Sequence, residues 1–168
     1  MIFVAVGTQL PFDRLIRSVD DWAANAPHRK VVAQIANGTY VPKHLQWERM
    51  IGPKAFREYL EKCDLVVAHA GIGTILSALE LGKPVIVLPR KAEYEEHRND
   101  HQLATAAQFG AREMVRVAQD ESHLADLLNQ FENPAGSSRI SSDASPELIG
   151  NLRKFFEKVG HERMRGQA

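Results

Sequence analysis

The sequence has little that would commit it to an oxidising compartment, a nucleic acid or a lipid bilayer. Its 168 residues include a single cysteine, Cys63, so no disulfide can form within the chain. Lysine and arginine together number 21, as do aspartate and glutamate, so net charge indicates neither nucleic acid nor an anionic membrane as partner. No apolar run approaches the length of a membrane span, and no basic leader with a cleavage site opens the sequence. We therefore expect a cytoplasmic protein.

The residues that are present have the composition of an ordinary globular domain. Hydrophobic residues make up 44% of the chain and charged residues 25%, and the length suits one domain with a core. Cys63 borders an apolar run, which favours a small buried hydrophobe over a nucleophile.

Short apolar runs alternate with segments of helical periodicity from the first residue onward. The predicted strands are Ile2 to Val6, Lys30 to Ala36, Trp47 to Ile51, Leu65 to Ala68, Val85 to Leu88 and Glu113 to Val117. The predicted helices are Phe12 to Ala23, Pro53 to Lys62, a segment from about Thr74, Asn99 to Phe109 and Asp120 to Phe131. Because strands separated by helices are buried on both faces, this alternation predicts an α/β fold with a doubly wound parallel sheet.

The composition changes after Phe131. Serine, glycine, proline and asparagine dominate the next residues and predict a linker at 133–145 after a domain at 1–132. An apolar stripe from Leu148 to Val159 then predicts an amphipathic C-terminal helix at 146–160. This helix packs either on the domain itself or on a partner chain.

The segment HAGIGT, residues 69–74, lies between the fourth predicted strand and a predicted helix. Ligands of open α/β sheets bind beyond the carboxyl ends of the strands, and glycines there let the backbone approach a ligand closely. A helix start also offers free N–H groups and a dipole that favour an anion. The segment therefore predicts a phosphate site, and the alternative is a tight turn in which His69 is a satisfied polar residue.

Two known phosphate motifs do not fit this segment. A dinucleotide fingerprint needs a third glycine and follows the first strand, whereas Gly71 and Gly73 follow a later strand without one. Gly82-Lys83 is followed by proline and lacks the serine or threonine of a Walker loop. A domain that binds NADP, with Arg90 on the 2′-phosphate, is therefore a less favoured alternative.

The longer string from His69 to Arg90, with HRNDHQ at residues 97–102, is more specific. It resembles the nucleotide-sugar-binding half of the GT-B glycosyltransferases, specifically the family 28 C-terminal domain found in MurG. Among members of this family, it is most similar to small, separately encoded catalytic subunits of bacterial exopolysaccharide synthesis and to their eukaryotic counterpart in dolichol-linked oligosaccharide assembly. VGTQ at residues 6–9 and FDRLI at 12–16 resemble the start of those subunits, so the resemblance covers about residues 1–131.

The resemblance implies a Rossmann-like domain that binds a UDP-sugar in two glycine turns. The diphosphate-binding residues that it implies are Gly7, Thr8, Gln9, His69, Gly71, Gly73 and Thr74. The segment from Ile51 to Pro53 is similar to the one that meets the uracil ring.

The ribose site departs from the family pattern. The family commonly has a carboxylate where this chain has Ser77, and the nearest acid, Glu80, comes three residues later on the same helix face. Either Ser77 makes a weaker contact with the ribose, or Glu80 replaces the missing carboxylate. A solvated helix residue is the alternative for Glu80.

The donor sugar is implied to bind at Asn99, Asp100, His101 and Gln102. These side chains supply both donors and acceptors for sugar hydroxyls. The alternative is that Asn99 or Asp100 only caps a helix.

The resemblance implies an inverting hexose transfer that needs no metal or other cofactor. Since the length suits one half of a two-domain cleft, we expect the base on a membrane-anchored partner that binds a polyprenyl-pyrophosphate-linked acceptor and recruits this chain to the inner face of the membrane. Asp13 is a weak candidate for the base, and an acid in the first turn of a helix is more simply a complement to the dipole. A non-catalytic nucleotide-sugar-binding module is the alternative function.

Overall fold

The computed structural model describes residues 1–131. The predicted linker at 133–145 and the predicted helix at 146–160 lie outside the described residues. The strands are β1 (Ile2–Ala5), β2 (Val31–Gln34), β3 (Gln46–Glu48), β4 (Leu65–Ala68), β5 (Val85–Val87) and β6 (Arg116–Val117). The helices are α1 (Asp13–Ala24), α2 (Pro53–Lys62), α3 (Ile72–Glu80), α4 (His101–Ala111) and α5 (Glu121–Asn129), and a short 3₁₀ helix (Ala92–Tyr94) precedes α4.

The six strands form one parallel sheet in the order β3-β2-β1-β4-β5-β6. This order confirms the predicted doubly wound sheet. The chain reverses its direction of winding between β1 and β4, which are neighbours in the sheet, and ligands bind at the carboxyl ends of the strands at such a reversal. The segments that follow β1 and β4 therefore meet at one place.

Both faces of the sheet are covered by helices. Ile2 and Val4 of β1 join one apolar cluster with residues of α1 and α5, whereas Phe3 and Ala5 join the opposite cluster with residues of α2, α3 and α4. Cys63 is buried in the second cluster, and burial raises the pKa of its thiol to about 11. The thiol is therefore protonated at neutral pH, as expected for a buried hydrophobe. Within residues 1–131, no helix combines the length and the apolar character that crossing a membrane requires.

Every strand except β4 is shorter than the sequence predicts, and β3 and β6 are two examples. The predicted strand from Trp47 to Ile51 is instead β3, an exposed edge strand that ends at Glu48. The predicted strand from Glu113 to Val117 begins only at Arg116, because Glu113 adopts a φ of +54° and its N–H bonds back to the carbonyl of Gly110. The turn that follows α4 thus takes up residues that were assigned to the strand.

Two helices begin two residues away from their predicted starts. α3 begins at Ile72 rather than Thr74, because Gly71 is the last extended residue before the helix. α4 begins at His101 rather than Asn99, and Asp100, at the N-cap position, does not cap the helix with its side chain. The first turn of α3 is therefore formed by part of the HAGIGT segment itself.

Asp20 of α1 holds the loop between β2 and β3. Its buried carboxylate accepts hydrogen bonds from the Tyr40 hydroxyl at 2.7 Å and from the backbone N–H groups of Lys43 at 2.9 Å and His44 at 2.7 Å. Burial alone would raise the pKa of Asp20, but these hydrogen bonds outweigh it and hold the pKa below its ordinary value. The ionised carboxylate therefore stabilises the fold.

We expect Asp20→Asn to lower the free energy of unfolding at neutral pH by about 1–3 kcal/mol. Because the folded-state pKa is depressed, the wild type has this stabilisation above the unfolded-state pKa of about 3.9 and loses it as pH falls through the folded-state pKa. Urea unfolding at several pH values should show the two proteins converging in acid, while the exposed neighbour Asp21→Asn stays close to the wild type throughout. A deficit that is independent of pH would contradict a role for the charge.

Candidate functional site

A cavity of about 600 Å³ opens at the carboxyl ends of β1 and β4. Its size suits a small organic ligand. The lining residues come from the ends of β1 and β2, the loop after β1, the start of α2, the β4–α3 turn, α3, the segment after β5 and the segment around the start of α4. They are Val6, Gly7, Thr8, Gln9, Leu10, Gln34, Ile51, Pro53, Phe56, His69, Gly71, Gly73, Thr74, Ser77, Arg90, His97, His101 and Gln102.

α3 directs its N-terminus at this cavity. Gly71 occupies the N-cap position with an extended backbone, and Gly73 and Thr74 of the first turn line the cavity. The first N–H groups of a helix have no acceptor within the helix, and the dipole makes this end positive. The arrangement is therefore suited to an anion such as a phosphate.

The three glycines of the site have different functions. A Cβ atom on Gly7 would lie 2.8 Å from Cε1 of His69, and one on Gly71 would overlap the same imidazole. Gly7 also adopts a φ of +80°, which glycine tolerates best. At Gly73, by contrast, an added Cβ would meet no atom within 4 Å. Gly7 and Gly71 thus make room for the His69 ring, whereas Gly73 leaves open space for a ligand.

His69 is a neutral, anchored side chain. Its Nδ1 lies 3.3 Å from the carbonyl oxygen of Ala5, so Nδ1–H donates and Nε2 remains an acceptor. Burial lowers the pKa of His69 to about 4, with smaller lowering effects of Arg90 and His97, while the Ala5 hydrogen bond acts to raise the pKa. At neutral pH the ring therefore offers a hydrogen bond rather than a charge.

Arg90 is buried and shapes the loop after β1. Its guanidinium donates hydrogen bonds to the carbonyl oxygens of Val6 at 2.7 Å, Leu10 at 2.7 Å and Pro11 at 2.5 Å. Gln34, at the end of β2, donates to the carbonyl of Gly7 at 3.3 Å. These bonds fix the backbone that carries Gly7, Thr8 and Gln9.

The remaining contacts of Arg90 connect this loop with the segment before α4. Nη1 also donates to the carbonyl of Glu96 at 3.3 Å, and the backbone N–H of Arg90 donates to Oε1 of Gln102 at 3.1 Å. Burial lowers the pKa of Arg90 to about 10, with Glu96 acting to raise it and Arg14 to lower it, so the guanidinium stays charged at neutral pH. Because both terminal nitrogens donate to carbonyls, Arg90 is poorly placed to bind an NADP 2′-phosphate.

The structure brings ten of the predicted binding residues to the cavity: Gly7, Thr8, Gln9, His69, Gly71, Gly73, Thr74, Ser77, His101 and Gln102. It does not bring Glu80, Asn99 or Asp100 to the lining. Glu80 is exposed at the end of α3, whereas Ser77 faces the cavity. Asp100 accepts a hydrogen bond from the N–H of Ala92 at 2.8 Å, and Oδ1 of Asn99 lies 2.5 Å from Nδ1 of His101.

Asp13 also lies away from the cavity lining. Its Oδ2 accepts hydrogen bonds from the N–H of Thr39 at 3.0 Å, the hydroxyl of Thr39 at 2.6 Å and the N–H of Tyr40 at 3.1 Å. The carboxylate thereby anchors the loop after β2 to the start of α1. These hydrogen bonds give Asp13 a structural role within the described residues.

The sequence analysis did not identify Gln34 or His97 as site residues. Gln34 has a visible signal, since it is a polar residue that ends an otherwise apolar strand. The ring centroids of His97 and His101 lie 4.3 Å apart with an interplanar angle of 75°. Across residues 1–131, no group of three or more histidine, cysteine or acidic side chains could hold a metal ion.

Comparison with known proteins identifies a family for almost the whole chain. Residues 1–154 match the model of the glycosyltransferase family 28 C-terminal domain. The chain is 34% identical over 118 residues to the human UDP-N-acetylglucosamine transferase subunit ALG13, covering 64% of this chain and 10% of that protein. It is 28% identical over 166 residues to a Prochlorococcus marinus UDP-N-acetylglucosamine--N-acetylmuramyl-(pentapeptide) pyrophosphoryl-undecaprenol N-acetylglucosamine transferase, covering 95% of this chain and 45% of the relative. The chain thus spans less than half the length of these curated relatives.

Solved structures show the same fold. The NMR solution structure of ALG13 matches with a TM-score of 0.58 at 19% identity, covering 90% of this chain and 93% of that one. The crystal structure of the glycotransferase of kitacinnamycin matches with a TM-score of 0.59 at 18% identity, covering 77% and 34%. The described domain is therefore similar to one part of a larger glycosyltransferase chain.

Proposed function

The chain belongs to the glycosyltransferase family 28 C-terminal domains, and from this premise we propose that it is the donor-binding catalytic subunit of a two-component inverting glycosyltransferase. Its donor is a UDP-sugar. The acceptor is a polyprenyl-pyrophosphate-linked glycan held by a membrane-anchored partner, and the product of the transfer is a longer glycan for polysaccharide biosynthesis. The observation that carries this proposal is the cavity at the carboxyl ends of β1 and β4, with the N-terminus of α3 directed into it.

The lining residues support one orientation of the donor. The diphosphate lies between the start of α3 and the Gly7 loop, where backbone N–H groups and the helix dipole favour negative charge. The uracil ring lies on the apolar wall formed by Ile51, Pro53 and Phe56. Ser77 is then near the ribose, and His101 and Gln102 are near the sugar.

Transfer breaks the bond between the anomeric carbon and the diphosphate oxygen while an acceptor hydroxyl attacks from the opposite face. Hydrogen-bond donors around the diphosphate stabilise the negative charge that develops on the leaving UDP. The reaction also needs a base to remove the proton of the acceptor hydroxyl. Within residues 1–131, no aspartate or glutamate side chain lines the cavity, and we assign this base to the partner.

The names of the relatives support the remaining parts of the proposal. One relative is called a transferase subunit, and the other is named for a pyrophosphoryl-undecaprenol acceptor. Both names contain N-acetylglucosamine, which makes UDP-N-acetylglucosamine the first donor to test.

We expect the purified chain to bind UDP equally well with magnesium and with a chelator, because N–H groups and side chains hold the diphosphate. Alone, it should transfer no sugar from radiolabelled UDP-N-acetylglucosamine to a polyprenyl-pyrophosphate glycan. Adding membranes that carry the acceptor-domain partner should start transfer, since the partner supplies the base and the acceptor. Calorimetry measures UDP binding, and thin-layer separation of the labelled lipid measures transfer.

The outcomes separate the candidate functions. A folded chain that binds no UDP under either condition refutes the donor site. Full turnover by the isolated chain refutes the two-component enzyme. UDP binding that never leads to transfer with any partner membrane favours the non-catalytic nucleotide-sugar-binding module.

A further inference from the structure

His97 presents an unused polar atom in the wall of the cavity. Its Nδ1 is buried and has no hydrogen-bond partner within residues 1–131. The other two histidines of the wall are anchored, since His69 Nδ1 lies 3.3 Å from the Ala5 carbonyl oxygen and His101 Nδ1 lies 2.5 Å from Oδ1 of Asn99. A buried polar nitrogen without a partner is unfavourable, and a ligand in the cavity can supply that partner.

The surroundings of His97 are basic. The groups that act on its ring are His101, whose centroid is 4.3 Å away, Arg90, Arg98 and His69, together with the Asn99 carboxamide. The adjacent carboxylate of Glu96 is occupied by Arg14, with nitrogen–oxygen distances of 2.7 and 2.8 Å. No carboxylate among residues 1–131 lines the cavity.

These neighbours disfavour the protonated imidazole in the unliganded protein. Burial is the largest cause that lowers the pKa of His97, and His101, Arg90 and Arg98 lower it further. The Asn99 side chain makes the smallest contribution and acts to raise the pKa, but it does not satisfy the buried Nδ1. An anion next to the ring would reverse the electrostatic part of this balance, because an opposite charge favours the protonated form.

The permanent cation of the same wall does not fill this role. Arg90 donates its terminal N–H groups to the carbonyls of Val6, Leu10, Pro11 and Glu96. Burial lowers the pKa of His69 to about 4, so this ring carries no charge at neutral pH either. A diphosphate that enters the cavity thus finds helix N–H groups and one imidazole with a free nitrogen.

We propose that His97 binds the diphosphate of the nucleotide sugar and takes up a proton as it does so, which places a positive charge beside the leaving group. This inference rests on the proposed nucleotide-sugar function. The proton comes from solvent when the donor binds, stays on the imidazole through the transfer, and returns to solvent when UDP leaves. The charge that a metal ion supplies in other transferases is thus supplied here by a side chain and removed with the product.

Calorimetry with UDP-N-acetylglucosamine tests the inference, because this ligand has no group that titrates near neutral pH. Titrations at about pH 7.5 in two buffers of different ionisation enthalpy measure the protons taken up on binding. The wild type should take up a fraction of a proton, and its affinity should fall as pH rises, since the protonated form binds. His97→Gln should lose the uptake and bind at least about tenfold more weakly, while its affinity for uridine, which has no diphosphate, stays unchanged.

The matched control is His28→Gln, the same change at an exposed histidine that does not line the cavity, which should behave as the wild type. Binding by the wild type without proton uptake overturns the inference and leaves the donor site intact. An equal loss of UDP-N-acetylglucosamine and uridine binding in His97→Gln also overturns it, because the ring would then only shape the cavity. A wild type that binds neither ligand overturns the proposed function itself. If His97→Gln does not fold, the buffer dependence of the binding enthalpy of the wild type still shows whether binding takes up a proton, and its absence overturns the inference.

Discussion

Replacing Arg90 by methionine is expected to lower the free energy of unfolding by about 3–5 kcal/mol and to abolish measurable UDP binding. Methionine keeps much of the side-chain length but removes every donor, so the carbonyls of Val6, Leu10 and Pro11 lose their partners. These carbonyls belong to the loop that forms one wall of the cavity, and an unanchored loop presents no fixed N–H groups to a ligand. Urea unfolding and UDP calorimetry at neutral pH measure the two effects.

Arg57→Met is the matched control, since Arg57 is exposed and, among residues 1–131, pairs with Glu61 one helical turn away, at 3.0 Å. An exposed ion pair of this kind contributes little to the free energy of unfolding. This variant should therefore have a free energy of unfolding within about 0.5 kcal/mol of the wild type and bind UDP normally. Arg90→Lys should remain defective, because one ammonium cannot reach carbonyls that a planar guanidinium spans. A folded Arg90→Met that binds UDP as the wild type does would show that the loop holds its shape without the guanidinium.

Much of the fold could be predicted from the sequence because its signals are local. Apolar runs such as Leu65 to Ala68 are buried on both faces in a parallel sheet, and the helices carry one apolar stripe each. The ends of the strands and helices were predicted less accurately, since they depend on contacts with distant segments. β6 is short because the turn at Glu113 bonds back to Gly110, and such a turn has no clear signature in the residue pattern.

The position of the candidate site was also predictable. Ligands of open α/β sheets bind where the strand order reverses, and the glycine turn follows a buried strand at that place. The separate functions of its glycines were not. Gly71 is required by the His69 ring, a contact two residues away whose geometry depends on where β1 places Ala5. A sequence shows that glycine is present, but only the packed structure shows which atom its missing side chain would have touched.

Arg90 illustrates the same limit at longer range. In the sequence it is a charged residue after a strand, and a phosphate ligand was one reasonable interpretation. In the structure its hydrogen-bond partners are carbonyls about eighty positions earlier in the chain, which become neighbours only because β1 and β5 flank β4. Its role is therefore set by topology, and in the proposed orientation of the donor the diphosphate contacts fall to the backbone of the Gly7 loop and of α3.

This division of roles leads to the second large prediction, at Gly73. Valine at this position should reduce UDP affinity about a hundredfold or more, because its branched side chain fills the open space in front of the α3 N-terminus. The same change should leave the free energy of unfolding close to that of the wild type. An added Cβ meets no protein atom within 4 Å, and valine is slightly better than glycine inside a helix, by roughly 0.4 kcal/mol.

Uridine is the matched ligand for this experiment, since it keeps the base and ribose contacts and lacks the diphosphate. Gly73→Val should bind uridine as the wild type does, and Gly73→Ala should weaken UDP binding by a smaller factor, because a single methyl group fills less of the space. Wild-type UDP affinity in the valine variant would place the diphosphate elsewhere in the cavity. Loss of UDP and uridine together, with a lower free energy of unfolding, would mean that Gly73 supports the helix rather than the ligand. Retained stability with selective loss of UDP is the result that assigns the start of α3 to the diphosphate.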